Sequence, residues 1–177
     1  MTGPPGSGKT TLAHALADEL RLPLLAKDTV KETLFEALGT GDRPWSRRLG
    51  RATFDVLFVV AAEILRAARP VVLEGNFTRG PAEPHFRALP PHRLVQVVCS
   101  APDDVVLTRW RERALAGERH AGHLDLEIEH EVVAALRERR HDALDLPGER
   151  IEVDTTAPVA LDRIVAACRL TGFPADV

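Results

Sequence analysis

Gly3-Pro4-Pro5-Gly6-Ser7-Gly8-Lys9-Thr10 has the spacing Gly-x-x-x-x-Gly-Lys-Thr, which is the pattern of a phosphate-binding loop. Glycines let such a backbone curl until successive N–H groups point inward at phosphate oxygens. Lys9 adds a mobile positive charge for the β- and γ-phosphates, and Thr10 offers a hydroxyl to Mg²⁺. A helix opening at Gly8–Lys9, with Ala13, Leu16, Ala17 and Leu20 on its apolar face, aims the positive end of its dipole at the same anion. The nucleotide-binding set is therefore Gly3, Pro4, Pro5, Gly6, Ser7, Gly8, Lys9, Thr10 and Thr11.

Such loops hang from the carboxyl end of a buried parallel strand. Only Met1 and Thr2 precede Gly3, so the expectation is that the first strand is missing and that the chain start is drawn too late. Two residues are expected to be too few to pair with a strand on each side.

The 177 residues suit a single α/β domain, residues 1–177. Apolar residues at 45% and charged residues at 28% are ordinary for a globular protein. A net charge of -3 excludes nucleic-acid binding through bulk positive charge. The two cysteines, Cys99 and Cys168, lie in apolar patterns and read as buried thiols. With no signal peptide or apolar run of membrane length, the expected location is the cytoplasm, without membrane contact.

Downstream, strand and helix patterns alternate. Leu22–Ala26 reads as a strand and Thr29–Leu38 as a helix closed by Gly39. Ser46 is expected to cap a helix to about Ala68 that is apolar on both flanks and largely covered. Pro70–Gly75 and Leu94–Cys99 are apolar strands, with a loop and a short helical piece to Ala88 between them. Pro102 opens a helix to about Ala116, and Gly117–Asp125 is a polar loop. A helix over Leu126–Ala143, a strand at Ile151–Val153 and a helix over Val159–Leu170 complete the chain. This alternation predicts a parallel sheet with crossover helices.

Active sites of such sheets lie beyond the carboxyl ends of the strands. Lys27-Asp28, Glu74-Gly75-Asn76 and Asp154-Thr155-Thr156 all fall there. Asp28 is the candidate base for an acceptor hydroxyl, the alternative being a cap for the helix at Thr29. Lys31, one turn on, could bind an acidic group of the acceptor or simply face solvent. Glu74 ends an apolar strand, where a buried carboxylate is costly unless it works; with Thr10 it is the candidate Mg²⁺ site. Asn76 and Arg79 face the same cleft from a loop.

The segment from Arg109 to Asp125 is rich in arginine and reads as a mobile lid. Arg109 and Arg113 share a helical face. Arg113 is the candidate catalytic cation for the transferring phosphate, and Arg109 the candidate to cover adenine. A solvated arginine face is the alternative, most evenly balanced at Arg111. His120, His123 and Asp125 could form a metal site or, preferably, polar lid contacts.

Together, Gly3–Thr10, Leu25–Glu32, Leu73–Phe77 and Arg109–Asp125 resemble the small P-loop kinases, and among them the AAA-type ATP-binding family. The chain is similar to polynucleotide 5′-kinase, zeta toxin and chloramphenicol phosphotransferase. The resemblance implies a P-loop NTPase fold, a three-layer α/β/α sandwich with a parallel sheet of order 2-3-1-4-5. It implies ATP and Mg²⁺ as cofactors. In polynucleotide 5′-kinase the acceptor pattern is basic-Asp-Asp-x-x-Arg, with the first Asp as base. Here it reads Lys27-Asp28-Thr29-Val30-Lys31, which carries the base over to Asp28 and puts Lys31 where the arginine would be.

The expected function is transfer of the γ-phosphate of ATP to a hydroxyl of a small molecule, with Lys9, Asp28 and Arg113 as catalytic residues. The alternatives are a polynucleotide 5′-hydroxyl kinase, which a low 5% aromatic content and the absence of Tyr disfavour, and a nucleotide-binding regulatory ATPase.

Overall fold

A computed structural model describes residues 1–170 of the chain. Helix α1 (Lys9–Leu20) leads to strand β1 (Leu24–Ala26), helix α2 (Lys27–Leu38) and the long helix α3 (Arg43–Arg66). Strand β2 (Val72–Glu74), helix α4 (Glu83–Arg87), strand β3 (Val95–Ser100) and helix α5 (Asp103–Leu115) follow. Two 3-10 turns at Ala121–His123 and Asp125–Glu127 precede helix α6 (Glu129–Arg137), strand β4 (Glu149–Asp154) and helix α7 (Leu161–Leu170).

The strands pair in parallel as β1–β2 and β3–β4. Met1 and Thr2 join the two pairs. The Met1 amine donates to the carbonyl of Leu73, and the Met1 carbonyl accepts from the Gly75 amide. Thr2 donates to the Val97 carbonyl and accepts from the Cys99 amide, each at 2.9 Å. Counting this segment as the first strand, the order is 2-3-1-4-5. The expectation that two residues could not reach both neighbours is corrected: alternate backbone groups of a strand point to opposite sides, so two residues serve one neighbour each. Ahead of them, toward the amino ends of β2 and β3, the strands flank an apolar cleft of about 320 Å³ lined by Leu16, Val71, Leu73, Val95 and Val97.

The pleat of β3 sorts the layers. Val97 and Cys99 pack with Leu12, Leu16, Val153, Ile164 and Cys168, beneath α1 and α7. Gln96 points to the opposite face and is bound on both ends of its amide by Leu144 and Leu146. On that face Phe58, Phe77, Ala82, Phe86 and Leu144 form a second core. Val106, Trp110, Val132 and Leu136 tie α5 to α6. Cys99 and Cys168 are buried free thiols. No helix among the described residues is long and apolar enough to cross a membrane.

Three local expectations change. Helix α3 begins at Arg43 and is capped by Asp42, whose side chain accepts from the Trp45 amide; Pro44 fits its first turn. Ser46 is therefore inside the helix and fully buried. The helix is not covered on both flanks, because Val56, Val59 and Val60 face outward, Val59 at 64% exposure. Helix α6 is shorter than its periodicity suggests. Arg139 adopts a left-handed φ of 52° and the Arg140 amide closes on the Ala135 carbonyl, which turns the chain so that His141, Ala143 and Leu144 are buried.

Candidate active site

The phosphate loop curls as its glycines allow. Gly6 and Gly8 have φ of 88° and 75°, and a Cβ on Gly6 would lie 2.5 Å from the Val106 carbonyl oxygen. Gly8 precedes α1 with no side-chain cap, so the first-turn amides of Lys9, Thr10 and Thr11 point out of the helix unpaired by it. The Ser7 hydroxyl is buried and has no hydrogen-bond partner. A ring of free donors at a helix N-terminus fits a phosphate group.

Glu74 ends β2 at 2% exposure. Thr10 donates its hydroxyl to Glu74 Oε1 at 3.4 Å, and Lys9 Nζ stands 3.8 Å from the same oxygen. Thr10 and Glu74 are thus adjacent oxygen donors beside the loop, the hard-ligand chemistry that suits Mg²⁺. Burial draws the Lys9 pKa down, opposed chiefly by the Glu74 carboxylate.

Asp28 lies two residues past the end of β1. Helix α2 starts at Lys27, so Asp28 lies in its first turn and its side chain caps nothing. Oδ1 accepts from Lys27 Nζ at 2.8 Å, and Oδ2 accepts from Arg119 Nη2 at 2.7 Å. Burial alone would raise the Asp28 pKa. The charges of Lys27 and Arg119 outweigh it and hold the carboxyl well below the ordinary range.

Arg119 is the residue that sequence reasoning passed over. Its Nη1 binds both oxygens of Asp125, at 2.7 and 2.8 Å, and its Nη2 donates to His123 Nδ1 at 2.9 Å. His123 Nε2 then donates to Glu32 on α2 at 3.0 Å. Burial, reinforced by the Arg119 charge, lowers the His123 pKa to about 2; the ring is neutral and relays a hydrogen bond. His120 stacks on Phe35 at 5.1 Å and bonds Glu36. These histidines fasten the segment after α5 onto α2.

Arg113 projects from the last turn of α5 into the cavity that holds Lys9, Asp28 and Glu74, about 110 Å³ in volume. Its Nε is buried and unbonded. Arg109 points elsewhere: it donates to the hydroxyl and carbonyl of Thr155, at 3.1 and 3.0 Å. Thr155 in turn lies beside Gly8, so Arg109 braces the loop after β4 against the phosphate loop. Asn76 lines the cavity, whereas the Arg79 amide is bound to the Arg140 carbonyl. Arg111 pairs with Glu129 at the surface.

A family model described as AAA domain matches residues 1–143. A crystal structure of a protein from Chloroflexus aurantiacus J-10-fl, provisionally described as a kinase, is 36% identical over 96% of this chain and 95% of its own, with a TM-score of 0.83. A sugar kinase from Janibacter sp. HTCC2649 is 22% identical and covers 96% of this chain and 90% of its own, with a TM-score of 0.57. A gluconokinase from Sinorhizobium meliloti 1021 has the same coverage and TM-score at 18% identity. At such identities these two carry the fold alone. No curated protein matches the chain.

Proposed function

The chain belongs to the AAA domain family, as a P-loop kinase within it, and on that premise we propose that it transfers the γ-phosphate of ATP to a hydroxyl of a small molecule. The observation that carries this reading is the convergence of Lys9, Asp28, Glu74 and Arg113 on one cavity. A carboxylate past the end of one strand shares this cavity with the phosphate loop, and so does an arginine whose Nε is buried without a partner.

The loop amides and Lys9 hold the β- and γ-phosphates. Thr10, with Glu74 behind it, would hold Mg²⁺, which when bound supplies charge neutralisation at the phosphates. Asp28 aligns the acceptor hydroxyl. As its oxygen bonds to the γ-phosphorus, the bond to the β-phosphate bridging oxygen breaks, ADP leaves and the hydroxyl proton passes to Asp28. A carboxylate with so low a pKa is a weak base, but a loose phosphoryl-transfer transition state asks chiefly for positioning and charge. Arg113 supplies that charge, and Arg109 holds the Thr155 loop against the phosphate loop. The segment 109–125 serves as a lid.

The test is ATP-dependent gain of one phosphoryl mass in fractionated metabolite pools. Product with the natural chain and none with a folded Lys9→Ala variant is expected. Undiminished turnover by that variant overturns the kinase reading, and ATP hydrolysis without any product leaves a regulatory ATPase.

A further inference from the structure

We infer that the acceptor is an anionic hydroxy compound, its carboxylate or phosphate held by Lys31 and its hydroxyl by Asp28. The inference rests on the phosphotransferase reading and narrows its substrate class.

Lys31 sits one turn along α2 from Asp28, so the two side chains share a helical face. It is 5% exposed and lines the same cavity. Nζ donates to Ser46 Oγ at 3.0 Å and stands 5.1 Å over the Phe35 ring. Among the described residues the three cations that act on Lys31 each have a carboxylate within salt-bridge distance: Lys27 has Asp28, Arg43 has Glu131, Arg119 has Asp28 and Asp125. Lys31 has none in that set. A buried charge without a counter-ion is expensive, and the fold gains little from this one. The Ser46 hydroxyl already has a partner, since it donates to the Gly122 carbonyl at 2.8 Å.

The surroundings sharpen the point. Lys27, Arg43 and Arg119 all push against a proton on Lys31, and only Asp28 favours it. Burial, the largest influence, and these cations lower its pKa to about 7. An anion bound at Nζ would relieve the burial cost and the repulsion together. A neutral sugar or alcohol would relieve neither. The Cβ atoms of Lys31 and Asp28 are roughly 5–6 Å apart, one helical turn, so a compact hydroxy acid or hydroxy phosphate can reach both side chains.

The probes are glycerate, glycerol 3-phosphate and glycerol, added to the full chain with Mg²⁺ and a saturating non-hydrolysable ATP analogue so that the phosphate loop is filled. One or both acids should raise the melting temperature and glycerol should not; which acid acts identifies carboxylate or phosphate. Lys31→Met should lose the response, Lys31→Arg should retain part of it, and both should bind the analogue as the natural chain does. Without any acid, Lys31→Met should melt no lower than the natural chain. Equal response to glycerol, no response to either acid, an undiminished response in Lys31→Met, or a Lys31→Met protein that melts several degrees lower or does not fold each overturns the inference. Failure of the natural chain to bind the analogue strikes the kinase reading instead.

Discussion

Arg119 Nη2 lies 2.7 Å from Oδ2 of Asp28 although 91 positions separate them. The carboxylate that would receive the acceptor is thus held from the far side by a guanidinium anchored on Asp125 and His123. Removing that cation should let the Asp28 pKa rise toward the ordinary range. If activity requires ionised Asp28, the acid limb of the kcat/KM–pH profile should move to higher pH in Arg119→Met. An acid limb that stays in place would separate Asp28 from the titrating group.

Asp28→Asn keeps the shape of the side chain and removes its charge. ATP affinity should hold while kcat falls by about 10²-fold or more, the scale of a positioned acid–base group. Isothermal binding and steady-state rates read the two effects separately. Collapse of ATP binding would make Asp28 part of the nucleotide site.

Arg113→Ala should depress kcat more than ATP affinity, since its charge counts most as negative charge redistributes in the transition state. Arg109→Ala should weaken ATP binding, because it unfastens the Thr155 loop from the phosphate loop. Equal effects of both variants on both parameters would reverse these assignments.

What was readable in the sequence follows from how local each feature is. The phosphate loop, Asp28 just past the end of β1 and Glu74 at the end of β2 are marked by the switch from apolar run to polar residue, so their strand-end placement was legible. Arg119 was not, because the sequence from Arg109 to Arg119 offers several arginines and nothing local tells which one turns inward. Ser46 looked like a cap because serine before an apolar helix usually is one. Asp42 and Pro44 supply that start four residues earlier, and Ser46 instead answers Lys31 and Gly122. Helix α6 read as longer because the apolar spacing continues past Arg137, whereas those apolar residues serve a different core.

Lys31 also leaves a trace in stability. Its folded pKa of about 7 lies below the ordinary lysine value of 10.5. Between those limits the unfolded chain binds more protons than the folded one, so this group makes stability rise with pH. The facing groups are Lys27, Asp28, Arg43, Arg119 and the neutral His123. Denaturant midpoints measured from pH 7 to pH 10 should climb less steeply in Lys31→Met than in the natural chain. Parallel curves would mean that Lys31 titrates normally in the fold.

Met1 and Thr2 tie the two strand pairs together through four hydrogen bonds and run straight into the phosphate loop. The Gly75 amide closes on the Met1 carbonyl and the Cys99 amide on the Thr2 carbonyl, one on each side. Amide protons in such central positions exchange with solvent only when the structure around them opens. Nucleotide bound to the loop should therefore slow exchange at Gly75 and Cys99 together, although neither residue touches the phosphates.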